Sequence, residues 1–278
     1  MVEITEALRE ELMQTAAALA DAARVETLAH FRAAGLEAEN KLADSISAAG
    51  ISAAGRFDPV TCADRASETR MREILAAMRP DDGVLGEEFA PRAGTSGLTW
   101  VLDPIDGTRA YMSGAPTWGV LIAVNAGAGP VLGVIDQPYI GERFWGGLGR
   151  ADMTGPLGPC ALATRKARPL GQAILYSTFP EVGSAVEAEA FGQLARQVQL
   201  TRYGADCYAY ALIAAGQIDL VVEAGLKAYE VQAPIAVIEA AGGMVTDWQG
   251  GPAHHGGRIL AAANASIHAE ALAILSKA

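Results

Sequence analysis

Trp100-Val101-Leu102-Asp103-Pro104-Ile105-Asp106-Gly107-Thr108 decides how this chain is read. An apolar strand ends in two carboxylates three residues apart, with a proline turn between them and Gly-Thr behind. Such a turn can aim Asp103, Asp106 and the Ile105 carbonyl at one point. Hard divalent cations such as Mg²⁺ take oxygen ligands of that kind and usually share them with a substrate phosphate. Thr108 could cap a following helix, whose open N–H groups suit an anion. The same string could also be an ordinary strand-to-helix loop with two solvated acids, so the rest of the chain must supply partners.

The first partner stands upstream. Gly86-Glu87-Glu88 follows the apolar pair Val84-Leu85, and a carboxylate at the end of a neighbouring strand would complete a metal shell on Asp103. Further back, Asp58-Pro59-Val60-Thr61-Cys62-Ala63-Asp64 leads into a segment where Met71, Ile74, Leu75 and Met78 recur at helical spacing. Thr61 and Asp64 have the T-x-x-D spacing of a capping box, a structural role that does not exclude a chemical one. Downstream, Tyr229-Glu230 opens a helix expected to run to Ala241 and stop at Gly242-Gly243. A carboxylate at that N-terminus is favoured by the helix dipole in any case.

These motifs, in this order, resemble the inositol monophosphatase family of Mg²⁺-dependent, lithium-sensitive phosphatases, from about residue 41 to 264. The resemblance implies a layered αβαβα sandwich. It implies that Glu87, Asp103 and the Ile105 carbonyl hold a first metal, and that Asp103, Asp106 and Glu230 hold a second. Glu87 would help with a weaker third, giving two or three Mg²⁺ per site. Asp64 and Thr108 would orient and deprotonate the attacking water, and the Gly107 and Thr108 amides would receive the phosphate. Two departures stand out. Tyr229-Glu230 replaces the usual Trp-Asp, and residues 42–55 form an Ala/Ser/Gly-rich stretch that reads as a loop, with Lys41 beside it as a candidate site lysine.

Specificity is expected from the C-terminal half. Arg202-Tyr203-Gly204-Ala205-Asp206-Cys207-Tyr208 begins a helix, and Glu223 lies seven residues before Glu230. In the resembled family the matching positions touch the alcohol part of the substrate, so the resemblance makes Arg202, Asp206 and Glu223 candidate substrate contacts, and a carboxylate there would suit an amino alcohol. The Tyr-Gly-Ala-Asp-Cys-Tyr stretch and the tyrosine before Glu230 look most like the histidinol-phosphate phosphatase branch. Hydrolysis of L-histidinol phosphate is the leading expectation, with inositol 1-phosphate the alternative. A bisphosphate substrate would want more basic residues than Arg202 and Lys227, and a non-catalytic relative would be expected to have lost more than one ligand.

Composition bounds the rest. The chain has 278 residues, 51% hydrophobic, with 21 basic and 32 acidic side chains for a net charge of −11. Nucleic-acid binders are usually basic, so that class is disfavoured. No apolar run is long enough to span a membrane, and the acidic N-terminus does not read as a signal peptide. Cys62, Cys160 and Cys207 show no disulfide or metal spacing, which suits a reducing cytoplasm. Elements are expected as a long helix over 5–34, a helix from Arg65, strands at 98–102, 118–124, 131–135 and 143–146, then strands at 174–177, 218–223 and 259–263 with helices at 187–197 and 208–215. The Gly/Pro-rich stretch 146–159 suggests an α+β lobe over 1–147 and an α/β lobe over 148–278. Trp118, Trp145 and Trp248 read as core, His254-His255 as a turn, and Arg109 as solvated. A homodimer is compatible with the sequence.

Overall fold

The computed structural model describes residues 2–34, 38–40 and 59–278. Lys41, Asp58 and the 42–55 stretch lie outside the described residues. Helix α1 (Glu6–His30) starts at Thr5, whose hydroxyl accepts the Leu8 amide, and it buries Leu12, Ala16, Leu19, Ala20 and Ala23 along one stripe. Two short strands, β1 (Ala38–Asn40) and β2 (Pro59–Thr61), pair antiparallel ahead of α2 (Cys62–Met78). The expected Thr61/Asp64 capping box opens α2.

A seven-stranded sheet follows in sequence order: β3 (Gly83–Gly86), β4 (Thr99–Asp106), β5 (Gly119–Asn125), β6 (Pro130–Gln137), β7 (Glu142–Gly147), β8 (Arg150–Gly155) and β9 (Gly158–Ala161). Only β3 and β4 are parallel; the other neighbours are antiparallel. The short helix α3 (Thr108–Ser113) leaves directly from β4. The sheet runs on to Ala161, so the Gly/Pro-rich stretch expected as a boundary is itself a hairpin of this sheet, and the break after residue 147 falls between two of its strands. Its glycines turn the chain, with Gly147, Gly149 and Gly158 all at positive φ.

The second sheet has five strands in the order β11-β10-β12-β14-β13. Its elements are β10 (Ile174–Ser177), α4 (Ala185–Ala195), β11 (Leu200–Tyr203), α5 (Asp206–Ala214), β12 (Leu220–Lys227), α6 (Ala228–Ala240), β13 (Met244–Thr246), β14 (Gly256–Ala262) and α7 (Ala265–Leu275). Three apolar clusters bond the layers together. Trp100, Leu102, Val120, Ile122 and Val124 face α1 and α2. Their neighbours Val101, Leu121, Ala123 and Ile135 face the opposite way, onto α5 and α6. This is the period of two that a sheet covered on both faces requires. Leu175, Leu220, Val222 and Leu260 pack against α4 and α7 on the far side. The layers are thus helices, sheet, helices, sheet, helices, the expected αβαβα sandwich.

Helix α6 lies so close to the large sheet that a Cβ on Gly146 would stand 2.3 Å from the Val237 Cα. Only glycine permits that approach. Trp118 and Trp248 are fully buried and Trp145 nearly so, and His254-His255 form a turn, as expected, with their rings tilted by 51° at 4.2 Å.

Candidate active site

Strand β4 carries its carboxylates through a break in register. Asp103 pairs with Leu121 and Asp106 with Gly119, so three strand positions on β5 face four on β4. The irregularity falls on Pro104 and Ile105, where proline has no amide to give the ladder. Asp103 Oδ1 accepts the Ile105 amide at 3.1 Å, which fixes the turn from inside. Gly107 then adopts φ 87°, and α3 begins with no side chain capping its first amides. Those amides remain suited to an anion.

Glu87 arrives by the parallel partner. Gly86 pairs with Leu102, so the next residue on each strand, Glu87 and Asp103, emerge side by side. The Gly86–Glu88 turn is held from below by Glu68 of α2, a residue not singled out from the sequence. Glu68 is fully buried, accepts the Glu88 amide at 2.7 Å and pairs with Arg72 at 2.7 Å. A Cβ on Gly86 would fall 2.0 Å from the Glu68 carboxylate, so that glycine is required by contact.

Asp64 is fully buried at the start of α2. Its Oδ2 accepts from the Thr61 amide at 2.8 Å and hydroxyl at 2.5 Å, while its Oδ1 stands 3.5 Å from the Thr108 hydroxyl. The Thr108 hydroxyl also lies 3.2 Å from the Ile105 carbonyl. Capping and contact with the motif coexist in one carboxylate.

The two sheets meet over this motif. Asp106 Oδ2 accepts the Cys207 amide from the first turn of α5 at 2.6 Å. Glu230 sits within the first turn of α6, which starts earlier than expected, at Ala228. Its Oε2 accepts the Lys227 amide at 2.5 Å, so it closes the helix start as a third-position cap. Pro234 lies inside α6, and the Glu230 carbonyl lacks the amide that would have met it there.

Glu87, Asp103, Ile105, Asp106, Gly107, Thr108, Asp206, Glu223 and Glu230 all line one cleft of about 260 Å³. Asp64 stands behind Thr108 and does not line it. Arg202 lies exposed on the edge strand β11 and does not line it either. The cleft also takes in Arg109, Thr178, Phe179 and Tyr210, none of which was singled out as a site residue. Arg109 was read as solvated; its guanidinium stands 4.9 Å from the centre of the Phe179 ring, across the cleft. Its place three residues after Asp106 was the available signal, and only the approach of the β10 end makes that place part of the site.

Burial pushes the Asp103 carboxyl well above its usual range, and the nearby Glu87, Asp106 and Glu230 charges add to the effect. Burial and the Glu230 and Asp206 charges do the same to Asp106, against the Cys207 amide. Asp206 is raised to about 6 by burial, opposed by Thr117 and Arg109. Burial raises Glu223 to about 7, although Thr178 and Ser177 donate to it. Acids massed so closely repel one another until a cation joins them. Among the described residues no three acidic, His or Cys side chains converge into a ready-made metal cage. Asp103, Asp106 and Glu230 each commit one oxygen to a backbone amide. The donor chemistry nonetheless fits a hard divalent cation, being all oxygen and strongly negative.

Comparison with known proteins agrees with this geometry. The inositol monophosphatase family profile matches residues 9–278. The chain is 42% identical over 196 residues to the chloroplastic bifunctional phosphatase IMPL2 of Arabidopsis thaliana, covering 70% of this chain but 56% of that protein, so the match spans little more than half of that relative. It is 34% identical over 272 residues to a histidinol-phosphatase of Streptomyces coelicolor, covering 95% and 97% of the two chains. Among solved structures, an inositol monophosphatase from Zymomonas mobilis superposes with a TM-score of 0.80 at 35% identity, over 96% of this chain and 98% of that one. With the profile matched almost end to end and the motif residues gathered in one acidic cleft, this chain belongs to the inositol monophosphatase family.

Proposed function

We propose that the cleft hydrolyses a phosphate monoester with Mg²⁺, and that its substrate is L-histidinol phosphate. The observation that carries the choice of substrate is the charge that the second sheet and its helices bring to the cleft. Asp206 and Glu223 line it from that side, and among the described lining residues Arg109 alone is cationic. An ester whose alcohol bears an amine complements those acids; a second phosphate does not. The names of relatives such as the Streptomyces histidinol-phosphatase support the same choice.

Bound Mg²⁺ would neutralise phosphate charge and lower the pKa of the attacking water. Glu87, Asp103, the Ile105 carbonyl, Asp106 and Glu230 are the residues that would hold it. The Gly107 and Thr108 amides, at the uncapped start of α3, take the phosphate oxygens. Thr108 Oγ accepts the proton of the attacking water while handing its own to Asp64 Oδ1, the acceptor 3.5 Å away. Asp64 keeps its orientation through the two Thr61 bonds. Phosphoryl transfer asks mainly for such positioning and charge neutralisation, with no covalent nucleophile.

The test is phosphate release from histidinol phosphate, inositol 1-phosphate, fructose 1,6-bisphosphate and adenosine 3′,5′-bisphosphate, each with Mg²⁺, with EDTA and with added Li⁺. Fastest, EDTA-sensitive turnover of histidinol phosphate is expected. Preference for inositol 1-phosphate would replace the substrate, and no turnover of any ester would remove the enzyme reading.

A further inference from the structure

Among the described residues that line the cleft, Tyr210 of α5 has a buried side-chain polar atom without a partner. The side chain is 3% exposed and its ring packs in the core between the two sheets. The hydroxyl is closed off from water and has no hydrogen-bond partner among the described residues. Buried hydroxyls are normally paired, and an exception at a binding cleft calls for a reason. The core offers none, since phenylalanine would fill the same space without the penalty.

The surroundings indicate what the hydroxyl faces. The carboxylate that acts on it most strongly is Glu223, followed by Asp106 and Glu230. Glu223 itself is held from the opposite side: Oε1 accepts both the Thr178 amide at 2.6 Å and the Thr178 hydroxyl at 2.9 Å, and Oε2 has only a 3.3 Å contact with the Ser177 hydroxyl. Glu223 is thus held mainly through one oxygen, and its other oxygen keeps a lone pair for a ligand. Asp206 lines the same cleft, near enough for its charge to act on Glu223. A group entering there meets two acids and a phenol oxygen with two unused lone pairs, a set that suits a multiple donor with positive charge.

We propose that Tyr210 is a specificity-determining residue of this cleft, its hydroxyl oxygen accepting a hydrogen bond from a cationic amine that docks against Glu223. The proposal rests on the reading of the cleft as a phosphomonoesterase site for an amine-bearing ester. An ammonium offers three donors; the acids take two and Tyr210 the third. The contact forms only when the ligand is present, which explains an orphan hydroxyl in the resting cleft. A site with such a group rejects an analogue lacking the matching donor more strongly than an apolar pocket does.

Tyr210→Phe removes the hydroxyl and keeps the ring. The ratio of kcat/KM for histidinol phosphate over that for inositol 1-phosphate is expected to fall about tenfold, with the loss in KM for the amine ester. Calorimetric affinity for histidinol, the amine-bearing product, should fall by a similar factor. Thermal unfolding of the ligand-free variant should occur at the same temperature as wild type or higher, because a buried unpaired group has gone. An unchanged ratio and an unchanged histidinol affinity overturn the proposal. So does a marked drop in unfolding temperature, which would reveal a structural partner. Wild type without any preference for the amine ester would instead defeat the substrate reading on which the proposal stands, and the two failures are told apart by that control.

Discussion

The Cys207 amide donates to Asp106 Oδ2 over 2.6 Å, fastening the start of α5 to the end of β4. The cost of that fastening is paid one residue earlier. Asp206 takes φ 45°, a left-handed conformation unusual for a residue with a Cβ, and Thr117 Oγ holds its carboxylate at 3.2 Å. Its side chain lies over Gly107, where a Cβ would come within 2.8 Å of Asp206 Cβ and Cγ. Strain of this kind persists where the surroundings over-determine it, and it gathers at functional sites.

Gly107→Ala is therefore expected to damage both fold and chemistry. It adds a Cβ at φ 87° and pushes on Asp206. Denaturant unfolding should show a loss of about 1–3 kcal/mol, and hydrolysis of any ester should fall at least a hundredfold. A variant with wild-type stability would mean that α5 can move away at no cost.

Asp103→Asn tests the acidic cluster. Asp103 is 1% exposed and lies among Glu87, Asp106 and Glu230, which oppose its ionisation. An amide of the same shape removes one charge from that crowd. Activity should vanish, while the Mg²⁺-free protein should unfold at the wild-type temperature or above. Near-normal turnover would show that Asp103 holds no metal.

Glu68 acts at one remove. Glu68→Ala would leave the Arg72 guanidinium and the Glu88 amide without their buried acceptor, a loss of about 3 kcal/mol. The Gly86–Glu88 turn would loosen and take Glu87 with it. The Mg²⁺ concentration giving half-maximal activity should rise more than the KM for the ester. Equal changes in both would make Glu68 a general stability residue.

Much of this was legible from residues that carry their own local logic. The T-x-x-D pair at 61 and 64, the turn at 103–108 and the alternating apolar strands follow from capping, proline and period two. What escaped reading depends on long-range approach. Tyr210 and Arg109 look like a helix residue and a surface charge until the second sheet closes over β4. Glu68 looks like one more acid on α2 until Gly86 is found pressed against it. Arg202 shows the reverse error of proximity in sequence, since it lies near Asp206 in the chain yet on an outer strand. The hairpin β8–β9 was hidden by glycines that read as a linker and in fact turn the strands.

Glu223 supplies a pH signature. Its carboxyl is raised by burial to about 7 from an ordinary value of 4.5. The folded state therefore binds the proton more tightly than the unfolded one. Its contribution to stability is complete below about 4.5, the unfolded value, and is lost as pH rises through about 7. In chemical denaturation the share of the decline that belongs to Glu223 is ~3 kcal/mol, so Glu223→Gln should lose that share while the raised Asp103, Asp106 and Asp206 keep theirs. An amine-bearing ligand reverses the penalty by pairing with the charged form. The KM for histidinol phosphate should thus fall between pH 6 and 8 in the wild type by more than it does in Glu223→Gln. Parallel profiles would mean that Glu223 does not meet the amine.

Glu230 is one of the two departures that the sequence shows from the resembled pattern, and the structure gives the extra methylene a purpose. Oε2 closes the start of α6 on the Lys227 amide at 2.5 Å, while the residue also lines the cleft beside Asp106. A glutamate can keep the cap with one oxygen and turn the other toward a cation. An aspartate at the same backbone position is shorter by about 1.5 Å, one C–C bond, and must choose. Glu230→Asp is therefore expected to raise the half-saturating Mg²⁺ concentration roughly tenfold, equivalent to about 1.4 kcal/mol. Glu230→Gln keeps the reach and the cap but loses the charge, so its Mg²⁺ affinity should fall further while its unfolding temperature without Mg²⁺ stays near wild type. Calorimetric titration of Mg²⁺ into both variants decides the matter. If Glu230→Asp binds Mg²⁺ as tightly as wild type, the cap is dispensable and the longer acid is incidental.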